Sequence, residues 1–293
     1  GGVGFGVASY AITAGLTVSN TSSFSVEGIR LHGEGRQSSR IDASAVTGDA
    51  VTSTLPVYLD IEDVEISGAS GAGLRFDSVG GTAAGNRNTL TRVRSANNGG
   101  HGYSLERSYL GAVLHSEAES NGGHGFYLNT GVHTSYAMIN NYARNNALDG
   151  HISDYLNYGS YMVCAADGNR NGYAQRNARG VSFVSSGAEF NNRAGWLFET
   201  LTGNAENWAS LYNCLASDNN KANGGYANHT YVSAANNILN CVFLFQPVSL
   251  AATTGGTFDF LADGVGAKLV LNDPLYYNSG PKATNSGYIQ VNY

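Results

Sequence analysis

An Asn/Gly-rich turn followed by an aromatic residue returns about every 23 residues along this chain, and that period constrains the fold more than any single motif. Asn97-Asn98-Gly99-Gly100-His101-Gly102-Tyr103 is followed by Asn121-Gly122-Gly123-His124-Gly125-Phe126 and then by Asn145-Asn146-Ala147-Leu148-Asp149-Gly150-His151. Asn169 to Tyr173, Asn191 to Trp196 and Asn219 to Tyr226 continue the series. From Gly102 to Gly125, Gly150, Gly172 and Gly195 the steps are 23, 25, 22 and 23 residues, and the next, to Gly225, is 30. Units of this length cannot bury an apolar face alone. Stacking one on the next buries it, so the chain reads as one solenoid.

Between the turns, segments such as Val57-Tyr58-Leu59-Asp60-Ile61-Glu62 alternate apolar with polar residues, the mark of a strand with one buried face. No convincing helical period extends for three turns. The expected class is all-β, with parallel strands stacked coil on coil about 4.8 Å apart. Asn and Gly suit the bends because both tolerate left-handed backbone. Equivalent side chains then stack, which predicts an inward aromatic ladder of Tyr103, Phe126, His151, Tyr173, Trp196 and Tyr226. Residues 1–24 are assigned to an N-terminal cap and 25–248 to the coils. Residues 249–293, where the period stops, read as strands of a different kind that form a C-terminal β cap or oligomerisation segment.

A net charge of −6 without a Lys/Arg-rich run argues against a nucleic-acid partner. No apolar stretch is long enough for a membrane span, and Gly1-Gly2-Val3-Gly4 lacks the charged start of a secretory leader. Cys164, Cys214 and Cys241 have no metal-site spacing and read as small buried hydrophobes.

The 22-to-25-residue period with its Asn-Gly-aromatic turns resembles the right-handed parallel β-helix of the pectate-lyase-like superfamily, over roughly residues 25 to 245. The segment from Gly28 to Ile41, with Gly33-Glu34-Gly35 ahead of Ser39-Arg40-Ile41, is similar to the opening coil of many such proteins. That superfamily includes polygalacturonases, pectate lyases, mannuronan epimerases and phage tailspike depolymerases. Gly100-His101-Gly102 and Gly123-His124-Gly125 match the Gly-His-Gly of polygalacturonases, but the companion Asn-Thr-Asp, Asp-Asp and Arg-Ile-Lys motifs are missing. So are the epimerase Tyr-Gly-Phe-Asp-Pro-His and the pectate-lyase Arg-x-Pro-x-x-Arg. By elimination the resemblance implies a tailspike-like, homotrimeric, endo-acting polysaccharide depolymerase at the cell exterior or virion surface.

If the aromatic after each turn glycine points inward, residues two and four past the glycine point outward. The second of these positions reads Glu106, Asn129, Asp154, Arg176, Glu199 and His229 on successive coils. Tyr127, His133, Tyr158 and Arg179 extend the strip as candidate sugar contacts. Glycoside hydrolysis needs two carboxyl groups, about 5 Å apart for retention or roughly 6.5–9.5 Å for inversion. Asp154 with Glu199, or Glu106 with Asp154, meets that need from two coils apart. A solvated ionic ladder through Arg176 accounts for the same residues without catalysis. Elimination on a uronic-acid polymer would instead use His133 or Tyr158, with Arg176 and Arg179 as clamps. A non-catalytic glycan-binding or structural β-helix is the third reading. His101 and His124 read as surface turn histidines. No metal and no cofactor is expected.

Overall fold

The computed structural model describes residues 2–18, 29–54, 59–76, 87–107, 109–128, 133–200, 207–222, 225–234, 239–250, 258–276 and 280–293. They form a right-handed parallel β-solenoid of three sheets, with about 26 residues per turn and no helix among the described residues. Each coil adds one strand to each sheet. Leu90, Val113, Met138, Tyr161 and Phe183 follow one another in register on the first sheet. Ser95, Ala118, Ala143, Ala166 and Ala188 do so on the second. On the third the row is Tyr103, Phe126, His151, Tyr173 and Trp196. All these pairings are parallel, as coil-on-coil stacking requires.

Two recurrent bends shape the coil. Between the first and second sheets the chain turns on single left-handed residues, among them Asp63, Arg92, His115, Asn140, Val163 and Ser185. Between the second and third sheets a second left-handed residue (Asn97, Ser120, Asn145, Gly168, Phe190, Asp218) precedes a buried asparagine. Asn98, Asn121, Asn146, Asn169, Asn191 and Asn219 stack along the solenoid; from Asn121 on, each amide oxygen accepts from the backbone N–H of the previous coil's asparagine, and that of Asn98 accepts from Ala69. The side-chain amides also donate to one another, at 2.8–3.3 Å.

Inside, rings stack along the third sheet. Centroids lie 4.6 Å apart for Tyr103–Phe126, 4.7 Å for Phe126–His151, 4.9 Å for His151–Tyr173 and 5.1 Å for Tyr173–Trp196. The next ring is His229, at 4.8 Å from Trp196, and not Tyr226. Trp196 pairs with Thr230, so the longer step in sequence here leaves the aromatic expected at the turn ahead of the column. His229, expected on the outer strip, is accordingly buried, with Phe260 continuing the stack.

The same three sheets run through both ends. Gly2–Phe5, Ala8–Ala11 and Leu16–Val18 pair in parallel with the next coil. Phe258–Asp263 and Ala267–Asn272 pair in parallel with the third and first sheets. The strands past residue 249 are thus of the same kind as the rest, corrected from the expectation of a different one. The period was lost to view because successive coils there differ in length: Leu211, Leu244, Leu271 and Val291 are register partners at unequal spacings. All three cysteines are free, Cys164 and Cys214 buried and Cys241 partly so. No helix among the described residues is long and apolar enough to cross a membrane.

Candidate active site on the outer face of the third sheet

The third sheet's outward residues carry two parallel rows. The first runs Tyr127, Ile152, Ala174, Leu197 and Tyr231, register partners in turn. Ile152, Ala174 and Leu197, with Ala194, make an apolar cluster separate from the interior, and Tyr127, Tyr226 and Tyr231 pack against it. The second row contains Glu106, Asp154, Arg176 and Glu199, where alternation along the strands had placed them. Asn129, its remaining expected member, lies outside the described residues.

Arg176 joins two of these carboxylates. Its Nη1 donates to Asp154 Oδ1 at 3.4 Å and its Nε to Glu199 Oε2 at 3.1 Å. Burial works against the guanidinium charge, but Glu199 and Asp154 outweigh it and raise the Arg176 pKa. Asp154 is nearly buried, and its Oδ2 accepts the Tyr127 hydroxyl at 2.8 Å. Burial, followed by Asp154, pushes the Tyr127 pKa up, so the phenol keeps its proton. Glu199 is the more open of the two carboxylates, with its side chain 33% exposed against 9% for Asp154. Glu106 stands apart, 3.7 Å from Arg75.

Of the two turn histidines expected at the surface, His124 is buried and His101 half-buried. His101 and His124 stack at 5.1 Å, and each ring centroid lies 5.0 Å from that of Tyr127. The backbone N–H of His124 donates to His101 Nδ1, and that of Asp149 to His124 Nδ1. With Nδ1 accepting, the neutral ring carries its proton on Nε2. Burial lowers the His101 pKa and takes that of His124 to about 4, so both are neutral donors at pH 7. Behind them Asp149 is fully buried and held by Arg170 at 2.9 and 2.6 Å. The repeated Gly-His-Gly was the available signal, since a turn residue that recurs on adjacent coils must stack.

The other expected contacts are not gathered here. His133 is fully buried, with its ring edge-on to Tyr136 at 6.5 Å. Tyr158 and Arg179 are exposed at the turn into the first sheet, where the Tyr158 N–H bonds the Arg179 carbonyl. A concavity of about 740 Å³ lies elsewhere, at the bend between the first and second sheets. Its carboxylates are occupied: Asp63 by Arg92 at 2.6 Å, and Glu117 by Arg94 and Arg144 at 3.7 and 3.4 Å. Nearby, His32, Glu62 and Asp63 bring possible metal ligands within 4.8 Å of one another. Arg30 and Arg92 already pair with those carboxylates, which leaves little negative charge for a cation.

No family model and no curated protein matches the sequence. Solved structures match in fold. The A-module of the mannuronan C-5 epimerase AlgE4 of Azotobacter vinelandii superposes with a TM-score of 0.62 at 14% identity, over 99% of this chain and 87% of that one. The alginate lyase of Paenibacillus sp. str. FPU-7 gives 0.60 at 11% identity, over 100% and 92%. The enzymatically active domain of bacteriophage CBA120 tailspike protein 2 gives 0.69 at 12% identity, with 92% of this chain covering 43% of that domain. At these identities the likeness is one of fold.

Proposed function

We propose that the chain is a polysaccharide depolymerase that hydrolyses a glycosidic bond of an extracellular polymer lying along the outer face of the third sheet. The observation that carries this is the pair Asp154 and Glu199 on opposite ends of one guanidinium. A guanidinium plus two hydrogen bonds separates the carboxyls by an amount on the order of the 6.5–9.5 Å that inversion uses. Asp154, oriented by Arg176 and Tyr127, takes the proton of the attacking water. Glu199, the more open partner, takes a proton from solvent when substrate displaces Arg176 from it and delivers that proton to the leaving oxygen. His101 and His124 offer N–H donors rather than bases, which favours carboxylate chemistry over a histidine-driven elimination.

One observation supports a second reading, a lyase or epimerase acting on a uronic-acid polymer. Tyr127 is a protonated phenol beside Arg176, an acid next to a cation that would neutralise a uronate. The two differ in product, since elimination leaves an unsaturated ring that absorbs in the ultraviolet and hydrolysis does not. The homotrimer and the exterior or virion-surface location implied by the resemblance belong to the same proposal. A light-scattering mass of three chains tests the former.

The deciding experiment incubates the protein with purified capsular, O-antigen, plant and algal polysaccharides and follows reducing ends and ultraviolet absorbance together. New reducing ends without absorbance are expected. Asp154→Asn and Glu199→Gln should each lower the rate about 10²- to 10⁴-fold with the fold intact. Full activity in both variants removes the carboxylate assignment. Saturable binding without turnover by the unaltered protein selects a glycan-binding module instead.

A further inference from the structure

Tyr158 and Trp208 are rings left in solvent, 67% and 49% exposed. Both approach Gly180. A Cβ built on that glycine would lie 3.1 Å from Tyr158 Cδ1 and 3.0 Å from Trp208 Cη2. Gly180 has φ +66°, and the pairing of its strand with the next shifts register between Arg179 and Val181. Tyr158 is itself left-handed at φ 55°, an uncommon conformation for a bulky residue. Bulges and strained backbone of this kind re-aim side chains and gather beside functional sites. Three irregularities on adjacent coils thus hold two aromatic rings in solvent beside one glycine.

We propose that Tyr158 and Trp208 form a sugar-stacking platform, an outer subsite for the polymer that the third-sheet face acts on. The inference rests on that reading of the face for its ligand. A pyranose presents a face of C–H groups that packs flat on an aromatic ring, while its hydroxyls stay wet; the rings here are large and exposed, and the missing Cβ of Gly180 lets both approach its backbone. The platform is also within reach of Asp154 and Arg176. Tyr158 is four residues past Asp154 and Gly180 four past Arg176, so at most about 13 Å of extended backbone separates each pair. A polymer engaged at both places crosses from the third sheet toward the first, with several sugars held on one side of the bond to be cut. That is the geometry of internal rather than terminal cleavage.

The two tryptophans make the test selective, because Trp196 is fully buried and Trp208 is half exposed. Iodide quenching of tryptophan fluorescence therefore reports Trp208. The protein carrying Asp154→Asn is titrated with sodium alginate, polygalacturonate and a purified bacterial O-antigen polysaccharide. Saturable protection of Trp208 by at least one is expected, lost on Tyr158→Ala. For the polymer that the unaltered protein cleaves, Tyr158→Ala and Trp208→Ala should raise KM about tenfold and leave kcat within about twofold. Gly180→Ala, whose Cβ would press on both rings, should do the same. Protection without cleavage by the unaltered protein sinks the hydrolase and keeps the platform. Cleavage without protection sinks the platform and keeps the hydrolase. Absence of protection by every probe, or a Trp208 already shielded from iodide in the sugar-free protein, overturns the platform.

Discussion

His151 lies between Phe126 and Tyr173 in the interior stack, with its Nε2 3.3 Å from the Ala165 carbonyl and its Nδ1 buried without a partner among the described residues. Burial lowers its pKa from 6.5 to about 3 and that of His229 to about 4. A depressed folded-state pKa means that the unfolded chain binds the proton first. The stability these rings contribute is therefore fully present above pH 6.5 and is lost as pH falls toward 4 and then 3. Melting temperature should drop steeply across that window. His151→Phe keeps the stacked ring and removes the titration, so it should flatten the drop while changing stability near pH 8 by less than about 1.5 kcal/mol. Thermal melts of both proteins from pH 8 to pH 4 check this, and an unchanged slope would exclude His151 as its source. The alternation of the third-sheet strands made this buried position legible, and the same alternation set Asp154, Arg176 and Glu199 outside. What it could not convey was Tyr127 bonding Asp154 from the preceding coil, since that contact joins residues 27 apart whose rows only the register defines.

At the scale of elements, the asparagine column ties second sheet to third. Asn146 Oδ1 accepts from both the backbone N–H and the side chain of Asn121 at 3.1 and 2.9 Å, and its own amide donates to Ala118 and Asn169 at 3.1 and 3.0 Å. Asn146→Ala removes partners from buried donors and acceptors on the coils before and after it. Each costs about 1–3 kcal/mol, so denaturant melts should show a loss of at least about 3 kcal/mol. Asn98, with fewer coils stacked ahead of it, should lose less on the same change. The recurring Asn-Asn pairs were legible as bends, but their division of labour was not. Asn97 and Asn145 supply the left-handed turn, a place that Ser120 and Phe190 fill equally well, while the second position must be the buried amide. A sequence displays both as turn residues; only the column shows which one the coil above depends on.

For the whole molecule, stability is a sum of coils and of interfaces between neighbouring coils. The coils from Thr89 to Glu199 keep the most regular spacing and an unbroken asparagine and aromatic stack, with one register shift on the first sheet among the described residues, between Arg179 and Val181. Hydrogen exchange should be slowest there. It should rise first around Ala227–Ser233, where the register shifts, and on Asn146→Ala the gain should spread to adjacent coils before distant ones. Uniform exchange along the chain would contradict an additive solenoid. The regular period made this central stretch readable in advance, whereas the unequal coils that follow hid their membership of the same sheets.

Because the strands bond to neighbouring coils, the backbone hydrogen bonds between coils point along the solenoid axis rather than around it. Traction applied between the two ends would load coil–coil junctions in series, and the tether would yield at its feeblest junction, paying out one loop of about 26 residues at a time. Traction across a single coil would meet covalent backbone instead. The molecule is therefore a mechanically directional object, compliant lengthwise and stiff around its girth.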